Sequence, residues 1–115
     1  MSSVGIIGGG ISGAGILHQL VQKMSKEENV SKRIQTIHCW EENEFGPGLA
    51  WSDMSSEVQL FNLPAGVASL AHGDYSGPFL RWCASKGKGG PGLHFGSFPP
   101  RSLFGEYAAD FIQVP

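Results

Sequence analysis

The chain has 115 residues, of which 41% are hydrophobic and 16% charged, so it can build a small core and is not compositionally disordered. This length predicts one small domain, or part of a larger one. A net charge of −2 does not indicate the excess of basic residues that is typical of proteins that bind nucleic acid or an anionic membrane. The two cysteines and four histidines are too scattered to predict a disulfide framework or a metal site.

The first elements in chain order are a strand, a glycine-rich turn and a helix. The run Ser3–Gly8 is typical of a short parallel strand that is buried on both faces. From Ser12 or Gly13 to Met24, apolar residues recur at three- and four-residue spacings, which predicts a helix. This helix has polar residues too early for a segment that spans a bilayer.

A second strand follows. The polar segment 25–33 either ends the helix or forms the loop after it, and Ile34–Trp40 is rich in β-branched and apolar residues, which indicates a strand. Cys39 within this strand is expected to be a small buried hydrophobe. The order strand, glycine turn, helix, strand predicts an α/β fold with a Rossmann-like βαβ dinucleotide-binding unit and parallel strands.

The remainder is predicted to be rich in loops, with short helices. A glycine-proline loop follows Glu44, and a short extended piece ends at Pro64. A short helix is expected after Pro78, and Gly87–Gly92 is predicted to be a surface loop. The segment 99–114 is a helix candidate whose apolar residues share one face, namely Leu103, Phe104, Tyr107, Ala108 and Phe111.

The glycines of the turn match the pattern G-x-G-x-x-G at the place where a dinucleotide fingerprint must lie, directly after a strand and at the start of a helix. Gly8 allows a sharp exit from the strand, Gly10 leaves the backbone open to a pyrophosphate, and Gly13 lets the helix pack closely on the strands. The helix N-terminus would attract the phosphates, and Ser12 adds a possible hydroxyl donor.

An acid after the second strand completes the pattern. Glu41 follows Trp40 directly, with Glu42 as the alternative, and either could accept hydrogen bonds from the ribose hydroxyls of an adenosine. An acid here argues against a 2′-phosphate, and so against NADP at this site. The simpler interpretation, in which the glycines only join strand to helix and Glu41 is a solvated strand end, stays open. A phosphate loop of the Gly-Lys-Ser/Thr type is excluded, because Ala14 follows the last glycine.

Three later segments, in order, resemble flavin-containing monooxygenases and related FAD/NAD(P)-binding proteins. In the glycine loop of "EENEFGPGLAW", the matching positions are Gly46, Gly48, Leu49 and Trp51. In "FNLPAGVASLAHGDYSGPFLRW", they are Asn62, Leu63, Pro64, Ser69 and Asp74. In "FPPRSLFGEYAADF", they are Phe98, Pro99, Arg101, Tyr107 and Ala108.

This resemblance implies that the nucleotide fold holds FAD and that the flavin carries the chemistry. Gly48, Leu49 and Trp51 would approach the flavin. Asn62 would lie near the flavin ring and take part in catalysis, although an Asn before Leu-Pro often only makes a turn. Arg101 would contact a phosphate or carboxylate, unless it is a solvated loop charge.

The chain also departs from the family pattern. Family members are several times longer and carry a second nucleotide fold for NAD(P)H, whereas this chain has one G-x-G-x-x-G, and Pro47 separates the glycines of the later loop. We therefore expect residues 1–115 to be the N-terminal FAD-binding part of a longer, cytoplasmic NAD(P)H-dependent flavoprotein oxidoreductase or monooxygenase, inactive alone. The alternative is a non-catalytic truncated dinucleotide-binding or interaction module. Two strands leave unpaired edges, so self-association is possible for either.

Overall fold

The computed structural model describes residues 2–52, 59–70 and 76–112. Its first half is strand β1 (Ser2–Ile7), helices α1 (Ile11–Lys26) and α2 (Glu28–Arg33), and strand β2 (Ile34–Trp40). β1 and β2 pair in parallel, with Val4 opposite Ile37. The predicted α/β class and βαβ unit are confirmed.

The second half contains short elements joined by loops. A 3₁₀ helix spans Ala65–Val67, and helices α3 (Pro78–Lys86) and α4 (Arg101–Phe111) lie where the sequence predicts helices. The extended piece before Pro64 makes an isolated antiparallel bridge between Leu60 and Pro100.

The polar segment after α1 is itself helical. α1 ends where Glu27 takes an extended conformation, with φ −120° and ψ 107°. α2 then begins at once and carries a Glu28–Lys32 ion pair of 3.1 Å at i,i+4 spacing. Both charges are exposed, so this pair supports the helix by only about 0.3–0.5 kcal/mol. The segment does end α1, as one alternative predicts, but the loop predicted by the other alternative is wrong, because Glu28–Arg33 is helical.

The strands are not buried on both faces as predicted. α1 packs on one face of the sheet, where Ile6 is buried, whereas on the other face the exposed fraction is 89% for Ile7 and 57% for Trp40. Cys39 is half-buried, so its prediction as a buried residue was also wrong. An apolar run in the sequence indicates that both faces of a strand could be buried. In the part of the chain that the structure describes, only one face of the sheet is packed against another element.

The hydrophobic core lies in the second half of the chain. Its aromatic members are Phe61, Phe79, Phe104 and Tyr107, all at most 6% exposed. Phe104 meets Phe61 and Phe79 edge to face, with ring centroids 5.0 and 5.3 Å apart, which is a favoured arrangement of aromatic quadrupoles. The core also holds Cys83, and this burial, assisted by the Glu106 carboxylate, raises the pKa of its thiol to about 11.

One loop connects the two halves, and we name residues 45–51 the connecting loop. At Gly46, an added Cβ would lie 2.6 Å from the carbonyl oxygen of Ala108, so the loop lies directly against α4. The Trp51 ring lies 4.9 Å from Phe61 and 5.2 Å from Phe104, between centroids. The connecting loop is therefore held by the core on one side, while its other side reaches the βαβ unit.

Candidate functional site

The turn between β1 and α1 needs its first and last glycines for different reasons. Gly8 has φ +94°, a left-handed conformation that suits glycine, and its N–H donates to the Trp40 carbonyl at 2.8 Å. At Gly13, a Cβ would overlap the carbonyl oxygen of Gly8 and would lie 3.5 Å from Ile6 Cγ2. The turn is thus sharp at one end and tightly packed at the other, which is the geometry expected from the glycine spacing.

The N-terminus of α1 carries no cap of its own. Gly10 is the N-cap residue and has no side chain, and the first turn of the helix contains no acidic residue. The first N–H groups of any α-helix lack intrahelical acceptors, and they carry a partial positive charge. Gly10 faces little in the folded chain, since an added Cβ would have its nearest contact at Gly48 Cα, 3.5 Å away. These donors are therefore available to an anion from outside.

Glu41 is bound to the glycine turn. Its Oε1 accepts from the Gly9 N–H at 2.7 Å, and its Oε2 accepts from the Asn43 N–H at 2.8 Å. These bonds, that of Asn43 first and that of Gly9 second, hold the pKa of the carboxyl below its ordinary value. A carboxylate has about four lone-pair positions, so Glu41 can still accept from ribose hydroxyls.

A cavity of about 460 Å³ lies at the carboxyl end of β1. It is lined by seven of the residues that the sequence singles out as cofactor-binding: Gly8, Gly10, Ser12, Gly13, Gly48, Leu49 and Trp51. The turn and the first residues of α1 supply four of them and the connecting loop three, so the cavity lies where these two parts of the chain face each other. In open α/β sheets, ligands bind at this end of the strands.

Four of the cofactor-binding candidates do not line this cavity, namely Glu41, Glu42, Asn62 and Arg101. Glu42 and Asn62 are exposed, and neither lines it. The Arg101 guanidinium lies 4.7 Å from the centroid of the Trp51 ring, and its Nε donates to the Leu60 carbonyl at 3.2 Å. Arg101 therefore contacts Trp51, which lines the cavity, but does not line the cavity itself. Asp74, a position of the family resemblance, falls outside the described residues.

Two residues near the turn were missed by sequence reasoning. Gly9 is buried, and the Phe45 ring occupies the space where its Cβ would be. The Gly46 N–H also donates to the Gly9 carbonyl at 2.6 Å. The signal for Gly9 was the third glycine in "GGG", which the G-x-G-x-x-G pattern does not require. Nothing in the sequence marks Phe45.

Two other kinds of site receive no support from the described residues. Within residues 2–52, 59–70 and 76–112, His, Cys, Asp and Glu form no group of three or more that could hold a metal ion. None of the helices in those ranges has the length and apolar character needed to cross a membrane.

Comparison with known proteins gives one finding. The model of the FAD-NAD(P)-binding family matches residues 5–114, which covers the glycine turn, Glu41 and the connecting loop. A comparison with curated proteins gives no match. The family binds the class of dinucleotide for which the turn, the uncapped helix and the acid are suited. The chain belongs to the FAD-NAD(P)-binding family.

Proposed function

We propose that this chain is the FAD-binding part of a longer NAD(P)H-dependent flavoprotein oxidoreductase, similar to the flavin-containing monooxygenases. The observation that carries the proposal is the cavity in which the glycine turn faces the connecting loop. Its lining combines the start of α1, with its backbone N–H groups, and two large apolar residues of the connecting loop, Leu49 and Trp51. This combination suits a molecule with a phosphate group next to an aromatic group.

At the phosphate end, the proposed contacts are electrostatic and local. The helix N-terminus attracts the pyrophosphate, and Gly10 leaves room for its oxygens. The Ser12 side chain lies on the cavity wall, where its hydroxyl can donate to a phosphate oxygen. Glu41 accepts from the ribose hydroxyls, and its negative charge disfavours a 2′-phosphate. The favoured occupant is therefore an adenosine dinucleotide without that phosphate, which FAD satisfies and NADP does not.

At the other end, the connecting loop orients the reactive ring. FAD supplies the chemistry when bound, because its flavin takes up a hydride from NAD(P)H and passes electrons on to an acceptor such as oxygen. Gly48 brings the backbone close, while Leu49 and Trp51 offer apolar surface that excludes water from that side. Arg101 supports Trp51 through the cation–π contact at 4.7 Å. The resemblance also implies that Arg101 contacts a phosphate and that Asn62 takes part in catalysis. Neither residue lines the cavity, so their positions do not favour these two roles.

A binding module without turnover is the second candidate. It is favoured by one observation: Asn62, the residue singled out for catalysis, is exposed and does not line the cavity. The two candidates differ in one measurable property, the oxidation of NADH or NADPH with oxygen uptake by the FAD-loaded protein. Turnover by the longer protein supports the oxidoreductase, and FAD binding without turnover supports the module.

The first experiment tests the cavity itself. Replacing Gly10 with Ala adds a methyl group where the pyrophosphate would approach, and the nearest protein atom is Gly48 Cα at 3.5 Å, so the ligand-free fold should be retained. We expect the dissociation constant for FAD to rise about tenfold to a hundredfold, which corresponds to an overpacking cost of about 1–3 kcal/mol. Calorimetric titration of the purified chain with FAD gives this constant.

Gly15 provides the matched control. It lies five residues further along the chain, within α1, and a Cβ there would meet nothing within 4 Å. The Gly15→Ala variant should therefore bind FAD as the unaltered chain does. Equal FAD affinity in the unaltered chain and the Gly10→Ala variant, or no binding of FAD by the unaltered chain, would contradict the proposal.

A further inference from the structure

Gly9 is the most enclosed residue of the glycine turn, although the dinucleotide fingerprint does not require a glycine there. Its N–H donates to the Glu41 carboxylate at 2.7 Å, and its carbonyl accepts from the Gly46 N–H at 2.6 Å. The Phe45 ring covers its Cα where a side chain would otherwise stand. The N–H and the carbonyl of Gly9 therefore both have hydrogen-bond partners within the protein, and its Cα is covered by the Phe45 ring.

This enclosure has a consequence for the residues on either side. In an unstructured loop, a run of three glycines has more conformational freedom than any other tripeptide, and a ligand that needs one conformation must then offset the cost of ordering it. With Gly9 fixed on three sides, the Cα atoms of Gly8 and Gly10 are restrained as well, because each shares a planar peptide unit with Gly9. The two hydrogen bonds fix the polar groups of Gly9, and the ring prevents its Cα from moving outward.

The two hydrogen bonds to Gly9 come from residues close to Phe45 in the chain. Phe45 is the first residue of the connecting loop, and Gly46, the donor to Gly9, is the next. A Cβ on Gly9 would also lie 3.1 Å from Glu41 Cβ, so the acid and the ring sit side by side over this one residue. Phe45 is half-buried and lies outside the aromatic core, so its packing serves the turn rather than the core.

We propose that Phe45 is a positioning residue that locks the glycine turn in its ligand-binding conformation before the dinucleotide arrives. The inference rests on the proposed function, since it assigns Phe45 a part in the same site. Phe45 acts through Gly9 and does not line the cavity. Its contribution is preorganisation: the turn is ordered when the chain folds, and the ligand gains affinity because it no longer has to order it.

The first test needs no ligand. In the ligand-free chain, we expect Phe45→Ala to raise the hydrogen-exchange rate of the Gly9 amide about tenfold, as the turn opens locally and its hydrogen bond to Glu41 is broken. The amides of β2, whose partners lie in β1, should exchange at the original rate. NMR with a ¹⁵N-labelled sample resolves these positions. Unchanged exchange at Gly9 would overturn the proposal whatever the chain binds.

The second test measures FAD affinity by calorimetry. If the turn of the Phe45→Ala variant is competent for about a tenth of the time, the dissociation constant for FAD rises about tenfold. The chain offers a matched control, because the Phe95 ring likewise covers a buried glycine, Gly66, whose N–H donates to the Phe95 carbonyl at 2.8 Å. Phe95→Ala removes an equivalent ring away from the turn and should leave FAD affinity unchanged.

A size exchange separates positioning from a general loss of packing. Gly9→Ala places a methyl group where the ring lies, so this variant should bind FAD more weakly than the unaltered chain. In the double variant Gly9→Ala, Phe45→Ala, the added methyl group fills part of the space left by the Phe45 ring. The double variant should therefore bind FAD more tightly than Gly9→Ala alone. A double variant that binds no better than Gly9→Ala would overturn the proposal.

The outcomes also distinguish this inference from the proposed function. FAD binding that is equally strong in the unaltered chain and the Phe45→Ala variant would overturn the positioning role and leave the proposed function standing. If the unaltered chain does not bind FAD, the proposed function is overturned. The role of Phe45 in ligand binding is then overturned as well, even if hydrogen exchange at Gly9 changes in the Phe45→Ala variant.

Discussion

At the scale of single residues, Glu41 combines a structural role in the glycine turn with a predicted role in ligand binding, and the sequence pattern indicates only the second. It is the acid expected to accept from a ribose, and it also binds the backbone N–H groups of Gly9 and Asn43 when no ligand is present. The hydrogen bonds from Asn43 and Gly9 favour the ionised carboxylate, and the bond from Gly9 forms only when the chain folds. Glu41 is thus part of the turn as well as a candidate ligand contact.

This arrangement predicts a pH dependence of the turn. The folded-state pKa of Glu41 lies below the ordinary value of 4.5, so its stabilising effect is fully present above that pH and is lost as the pH falls through the folded pKa. We expect the amide proton shift of Gly9 to titrate with a midpoint below 4.5 in NMR spectra. The Glu41→Gln variant, which cannot ionise, should show no such step. A midpoint above 4.5 would contradict this account.

At the scale of elements, the packing of α1 against β1 depends on the absence of one side chain. Gly13 lies so close to the Gly8 carbonyl that a Cβ cannot fit, whereas Gly15, on the same helix, faces open space. Two glycines of one helix, two residues apart, therefore have opposite consequences. One permits close approach of the helix to the strand, and the other only lowers helix propensity.

Alanine substitutions at these two glycines should change stability in opposite directions. Gly13→Ala forces the helix away from the turn and should lower the free energy of unfolding by about 1–3 kcal/mol. Gly15→Ala should raise it by about 0.5–1 kcal/mol, through helix propensity alone. Urea denaturation followed by circular dichroism measures both. The same sign of change in the two variants would show that the packing of α1 has been assigned wrongly.

At the scale of the whole molecule, the chain is elongated and its two halves are unequally covered. Its radius of gyration is 15.3 Å, against about 13 Å for a compact domain of this length. The aromatic core lies in the second half, while the sheet of the first half leaves Trp40 on an open face. Apolar surface on a short open sheet favours association with other chains.

The open face predicts concentration-dependent association of the isolated chain. Replacing Trp40 with Thr keeps a strand-forming residue and removes a large apolar side chain that is 57% exposed. We expect this variant to sediment as a smaller species than the unaltered chain at equal concentration, with little change in its unfolding midpoint. Identical sedimentation of the two would exclude this face as the surface of association.

The sequence predicted those features that depend on neighbours along the chain. The limits of β2, the start of α3 after Pro78 and the crowded position of Gly13 all follow from local pattern. The exposure of Trp40 could not be predicted, because it depends on how many strands and layers cover the sheet. The contacts of Phe45 with Gly9 and of Arg101 with Trp51 join distant segments, and no local periodicity records them.

The support of the connecting loop by α4 also sets an order of events during synthesis. β1, α1 and β2 leave the ribosome first, so the two strands can pair before the second half of the chain has been made. The connecting-loop wall of the cavity waits for α4, because Gly46 and Trp51 rest against that later helix. A dinucleotide that meets the nascent chain finds only half of its binding site, so loading belongs to the time after α4 has docked.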